Sequence, residues 1–322
     1  MRSFWVLLVM LPLCVHADEL SQNPLVLLGQ LNRAAHQQSY QGTFVVQRGT
    51  DMESSQVMHG RLNGQEFMRV QVLDGRPREI IRTGQETRCY YPVQHKLRLE
   101  SNYRRHLFPA LIDPPYDHYM DLYTITLRGL SRVVDHECRL IRFAARDVAR
   151  FDHEFCVDTK TGLILKAVTF DERQSPLETE LFTTLNLDFH ARPETLQSAY
   201  PDVSKWQTVR YPVQEHANSS PLQIGYIPAG YNKVLDMEVQ PPHSVSPIRH
   251  WVYSDGLSSF SVFLRPQDGS DHGAPVSRML NGELSYYSGT LQQYRVVVLG
   301  EIPQSTVQSI GQSISLTEEK HP

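Results

Sequence analysis

The sequence predicts a mostly β chain of the α+β class: a large N-terminal antiparallel half barrel wrapped around helices, then a small C-terminal antiparallel sheet domain with a terminal helix. Three observations carry this. Segments alternating apolar and polar side chains recur along most of the chain; Gly, Pro, Asp and Asn separate them at short intervals; and a helical period of apolar residues stands out only after Pro24 and after Pro303. With 322 residues and 40% apolar content, the chain can bury two cores and is too apolar to be disordered.

Residues 1–17 have the layout of a secretory signal peptide: Arg2, an apolar run from Phe4 to Val15, and Val15-His16-Ala17 as a cleavage site, with cleavage expected after Ala17. That run is too short to span a bilayer, so an exported, soluble mature chain is expected. A lipid-anchored alternative at Cys14 is disfavoured because the bulky Leu13 precedes it.

Asn23-Pro24 caps an amphipathic helix with Leu27, Leu28 and Leu31 on one stripe. Strands follow over residues 42–47, 56–62, 66–73, 78–83, 87–91 and 93–99, and neighbours this close in sequence must pair antiparallel. The cleanest alternation sets Val93, His95, Leu97 and Leu99 against Gln94, Lys96, Arg98 and Glu100. Between Asn102 and Tyr123 the period breaks around Phe108-Pro109 and Asp113-Pro114-Pro115, which predicts a long loop or a short helix with a loop. Strands resume at Tyr123 and run to Phe189.

Within that run, Phe151–Phe170 gathers a histidine, several acids, a cysteine and a lysine, yet its period is two. Phe151, His153, Phe155 and Val157 share one face, Thr159–Gly162 is a turn, and Leu163–Phe170 returns. A half-buried hairpin with a solvated face explains these residues more simply than a catalytic cluster. Cys138 and Cys156 flank a hairpin centred on Asp147, and in an oxidising compartment they are expected to form a disulfide; Cys89 is left over and is expected to be buried.

Residues 206–221 are polar and proline-punctuated and are expected to be a linker between a domain at 18–205 and one at 222–318. The second domain has strand patterns at 236–239, 248–254, 260–264, 284–287 and 294–299, then a helix carrying Val307, Ile310 and Ile314 on one stripe.

No Gly-x-Ser-x-Gly, Ser-x-x-Lys, Cys-x-x-Cys or phosphate loop is present. His136-Glu137 and His153-Glu154 lack the second histidine that zinc metalloproteases need, so no enzyme activity, metal or cofactor is expected. The formal charge of -4 argues against nucleic acid as a partner, although residues 42–105 hold 11 Lys/Arg against 7 Asp/Glu and could meet an anionic head group. A curved sheet with an apolar concave face can hold a hydrophobic ligand, and Phe44, Val46, Met58, Phe67, Val70 and Tyr91 are the candidate lining residues.

The Ser39–Val46 and Val157–Leu163 stretches resemble the lipid-carrier-like domain of the MucB/RseB family of envelope-stress regulators. Gly225–Tyr231, His250–Phe263 and Val298–Pro303 resemble that family's small C-terminal domain, in order. The resemblance implies a periplasmic, non-enzymatic protein whose large domain is similar to LolA/LolB-type carriers. It also implies binding to the periplasmic part of a single-pass anti-sigma factor of the RseA/MucA type, protection of that factor from site-1 proteolysis, and release by lipopolysaccharide or another acyl lipid. Trp251, Tyr253, Phe260 and Phe263 are then the candidate partner contacts, being aromatic types enriched at binding hot spots. The alternative is a periplasmic lipoprotein or lipid carrier; either a monomer or a homo-oligomer fits the sequence.

Overall fold

The structure, a computed structural model, describes residues 20–101, 107–211, 222–239, 247–267, 274–280, 282 and 284–316. The expected signal peptide lies outside the described residues, and among these no helix is long and apolar enough to cross a membrane.

Helix α1 (Pro24–Gln37) begins as its sequence dictates, with Asn23 accepting a hydrogen bond from the Leu25 amide and Pro24 in the first turn, where a missing N–H costs nothing. Its apolar stripe lies on a 12-stranded sheet. The strands are β1 (Tyr40–Arg48), β2 (Asp51–Leu62), β3 (Gln65–Val72), β4 (Glu79–Thr83), β5 (Glu86–Tyr91), β6 (Lys96–Ser101), β7 (Tyr123–Val133), β8 (His136–Ala145), β9 (Asp152–Asp158), β10 (Ile164–Phe170), β11 (Pro176–Asn186) and β12 (Gln207–Tyr211). Their spatial order is β12-β6-β5-β4-β3-β2-β1-β11-β10-β9-β8-β7. Every neighbouring pair is antiparallel except β12 on β6, which is parallel. Residues 207–211, expected in the linker, therefore belong to the large sheet, which runs at least through Tyr211.

The alternating run 93–99 is not strand throughout: Pro92–Gln94 form a 3-10 turn, His95 takes φ 46°, and β6 begins at Lys96. Leu97 then packs with Ile81, Tyr90 and Trp206 in a satellite cluster on the sheet's outer face. The cysteines of β8 and β9 also lie diagonally rather than directly opposite. Cys138 faces Asp158 and Cys156 faces Leu140, and the disulfide closes across this diagonal with the two Cα atoms 5.3 Å apart. Cys89 is buried.

Residues 107–116 lie on the concave face and lead into helix α2 (Asp117–Leu122). Phe108 anchors them between Phe44 and Phe182, with ring centroids 5.2 and 4.9 Å away. A polar knot holds the same segment to α1. His36 donates to Glu66 at 2.7 Å and to Asp113 at 3.2 Å, and His59 also meets Glu66. Hydrogen bonds accepted by the Asp113 carboxylate and then by Glu66 push His36 up to about 9, so both of its ring nitrogens carry protons at neutral pH.

The C-terminal unit contains β13 (Leu222–Ile224), β14 (Asn232–Val239), β15 (Ile248–Ser254), β16 (Ser259–Pro266), β17 (Val276–Met279), β18 (Ser285–Leu291), β19 (Tyr294–Gly300), helix α3 (Gln304–Gln312) and β20 (Ile314–Leu316). Six strands form one sheet in the order β14-β15-β16-β19-β18-β17, while β13 pairs with β20. Ile314, expected on the helix stripe, instead starts β20 and joins the same core as Val307 and Ile310. That core covers one face of the six-stranded sheet.

Candidate functional site

The other face of the small sheet looks onto the concave face of the large one, and a cavity of about 1140 Å³ lies between them. Strand parity decides what lines it, because alternate side chains point to opposite faces. Phe44 and Val46 of β1, Val70 of β3 and Phe155 of β9 form apolar floor, and Leu107 and Phe108, ahead of α2, narrow it. His250 and Val252 of β15, Ser261 and Phe263 of β16, and Leu299 of β19 form the opposite wall. His250 and Phe263 stack with centroids 4.1 Å apart, while His250 Nε2 lies 2.9 Å from Ser261 Oγ.

Toward one end the wall is charged, and its charges are paired. Arg48 makes a two-pronged contact with Glu178 at 2.6 and 2.9 Å, Arg78 reaches Glu53 at 3.0 Å, and Arg98 lies beside Glu100. Of these three pairs only Arg48–Glu178 draws its acid from outside residues 42–105, so it alone reduces the basic excess of that stretch. Glu180 sits next to this group; burial first, and the neighbouring Glu178 charge second, push its carboxyl up to about 8. At neutral pH it is a hydrogen-bond donor.

Of the lining residues expected from sequence, the structure brings Phe44, Val46 and Val70 together on the cavity wall. Met58 has the opposite parity to Ser55 of β2, and Phe67 the opposite parity to Val70 of β3, so both face away from the cavity. Tyr91 ends β5 and is not on the wall. Among the expected partner contacts, Trp251, Tyr253 and Phe260 are buried in the small domain's core, whereas Phe263 faces the cavity.

Sequence reasoning did not find the contact that joins the two units. Asp255 caps its own turn through Oδ1, which accepts from the Leu257 and Ser258 amides at 3.0 and 2.8 Å. Its Oδ2 accepts from Arg150 Nη1 at 2.7 Å and from the Tyr123 hydroxyl at 3.0 Å. Arg150 and Asp255 side chains are both 0% exposed. Arg150 also donates to the Ala229 carbonyl at 2.6 Å and to Asp147. Two glycines with positive φ complete the joint: a Cβ on Gly256 would lie 2.6 Å from the Tyr119 hydroxyl, and one on Gly230 would lie 2.5 Å from Leu122 Cδ2. The Ile-Pro-Ala-Gly-Tyr and Ser-Asp-Gly-Leu runs thus form the small domain's side of the interface, and α2 with the β8–β9 connection forms the other.

Residues 23–200 match the MucB/RseB N-terminal domain, and residues 216–315 match the MucB/RseB C-terminal domain. The chain belongs to the MucB/RseB family. A curated relative from Salmonella typhimurium, the Sigma-E factor regulatory protein RseB, is 27% identical over 293 residues, 89% of each chain. The Sigma factor AlgU regulatory protein MucB of Pseudomonas aeruginosa is 27% identical over 292 residues, again 89% of each. Among solved structures, the Pseudomonas aeruginosa MucA/MucB complex superposes with a TM-score of 0.71 at 26% identity, covering 90% of this chain and 97% of that one. A second structure, MucB in complex with MucA(peri), gives 0.71 at 25% identity with the same coverage. The two family domains join at the buried Arg150–Asp255 pair, with the cavity between their sheets.

Proposed function

We propose that this MucB/RseB family member is an exported regulator that binds the periplasmic part of a membrane-anchored anti-sigma factor, shields it from site-1 proteolysis, and lets go when lipopolysaccharide or a related acyl lipid enters the cavity. The signal peptide is removed after Ala17, and the mature chain works in the periplasm without making or breaking covalent bonds. One observation carries this reading: a single cavity has its floor on one domain and its roof on the other, so a ligand that fills it acts on how the domains sit together. The relatives named as sigma-factor regulators, and the solved complexes of MucB with MucA, supply the class of partner. Phe44, Val46 and Val70 contact the lipid, and Phe263 is the partner-class aromatic poised to respond to it.

Shielding of this kind is mass action. A lipid need only favour the released form, and each tenfold of differential affinity is about 1.4 kcal/mol of bias. The test is calorimetric titration of the mature chain with a purified anti-sigma periplasmic segment of the MucA type, repeated with lipopolysaccharide. Binding that weakens as lipopolysaccharide is added supports the reading. Retention of acylated lipoproteins with no affinity for the anti-sigma segment would identify a carrier instead.

A further inference from the structure

His153 stands out on the cavity wall. It is 6% exposed, lies on the inward face of β9, and contacts Phe155 in a stacked arrangement and Tyr123 edge-on, with centroids at 6.3 and 6.0 Å. Its Nδ1 is 3.1 Å from the Thr169 hydroxyl on the adjacent strand, where the register places the two residues opposite each other. Its Nε2 is shielded from solvent and has no hydrogen-bond partner among the described residues. An unmet buried polar atom costs roughly 1–3 kcal/mol. The His153 side chain lines the cavity together with Phe155, Ala167 and Thr169, with this nitrogen just beneath the wall.

Resting on the reading of this cavity as a lipid site, we propose that His153 Nε2 is the specificity point of the cavity, hydrogen-bonding an uncharged polar group on the ligand: the ester or amide carbonyl, or the hydroxyl, of an acyl chain. The Thr169 hydroxyl can donate to Nδ1, leaving Nε2–H to donate to a carbonyl, or accept from Nδ1–H, leaving Nε2 to accept from a hydroxyl. Either arrangement uses the neutral imidazole, which burial favours by holding the ring down at about 4. Such a site distinguishes a chain bearing a polar linkage from a plain hydrocarbon.

The experiment uses the whole mature chain, N-phenyl-1-naphthylamine as an apolar fluorescent probe, and monolaurin as an uncharged acyl ester competing with it. His153→Phe should weaken monolaurin about tenfold, the worth of one net hydrogen bond, while probe affinity stays within about twofold, and His153→Gln should recover part of the loss. In wild-type protein labelled with ¹⁵N-histidine, monolaurin should move the His153 Nε2 resonance, a readout that stands even if His153→Phe fails to fold. Monolaurin that displaces the probe without moving that resonance, or that binds His153→Phe as tightly as wild type, overturns the role of His153 and leaves the lipid cavity standing. Wild type that binds neither the probe nor monolaurin overturns the lipid reading itself, and this inference with it.

Discussion

Arg150→Met is the perturbation whose size follows most directly from the structure. With both side chains of the Arg150–Asp255 pair at 0% exposure, solvent does not screen the interaction. Methionine fills much of the volume but leaves the Asp255 carboxylate with only the Tyr123 hydroxyl and its own turn, and leaves the Ala229 carbonyl without the guanidinium that held it. Breaking one side of a buried ion pair costs about 3–5 kcal/mol, whereas neutralising both sides costs far less. Arg150→Met should therefore destabilise by that amount, and adding Asp255→Asn, which keeps the turn-capping oxygen, should restore about 2 kcal/mol or more. Urea unfolding followed by fluorescence separates the domains, because Trp206 packs against the large sheet and Trp251 in the small domain's core. In wild type the two reporters should unfold together; in Arg150→Met the Trp251 transition should come first. A loss under about 1 kcal/mol with coincident transitions, or a double variant no more stable than the single one, would refute the view of this pair as the clamp.

Further outcomes follow from the same contacts. Gly256→Ala, which must hold φ +96° and place its Cβ on the Tyr119 hydroxyl, should cost about 1–3 kcal/mol and uncouple the Trp251 transition, whereas Gly129→Ala, with open space around it, should not. His36 titrates near 9 in the folded chain and near its ordinary 6.5 when unfolded, so its stabilisation is full below pH 6.5 and fades as pH rises through 9. Asp113→Asn should lower the His36 midpoint in an NMR titration and reduce that fading. Glu180 slopes the same way in a lower window: its raised value makes the folded chain hold a proton the unfolded chain has lost, so stability falls between about pH 4.5 and 8. Glu180→Gln should raise the unfolding midpoint at pH 8 by the equivalent of at least about 1 kcal/mol and change it little at pH 4. Unchanged pH slopes in either variant would remove these groups from the account.

Much of the strand plan was legible because period two is a local signal. Ile248–Ser254 and Tyr294–Gly300 show it in their residue order, and Asn23-Pro24 announces α1 just as plainly. Alternation distinguishes two faces but does not say which one is inside. Leu97 packs under Trp206 on the outside of the sheet while Arg98 turns toward the cavity, and Met58 and Phe67 likewise face away from it. The aromatic residues of β15 and β16 were ambiguous in the same way, since a sheet with a helix on one side and a cavity on the other offers two apolar environments. Least legible was the Arg150–Asp255 pair, 105 residues apart in sequence and brought together only when two separate cores dock.

The parallel strand β12 has a consequence for how far the domains can drift. Because Tyr211 is hydrogen-bonded into the large sheet and Leu222 begins the small unit, only the ten residues 212–221 connect the anchored points. Such a tether cannot reach beyond about 40 Å, and it keeps a detached small domain at an effective concentration on the order of millimolar. Reclosure of the two domains is therefore a first-order return whose rate does not depend on protein concentration, and the Arg150–Asp255 contact can re-form without a second molecule having to be found.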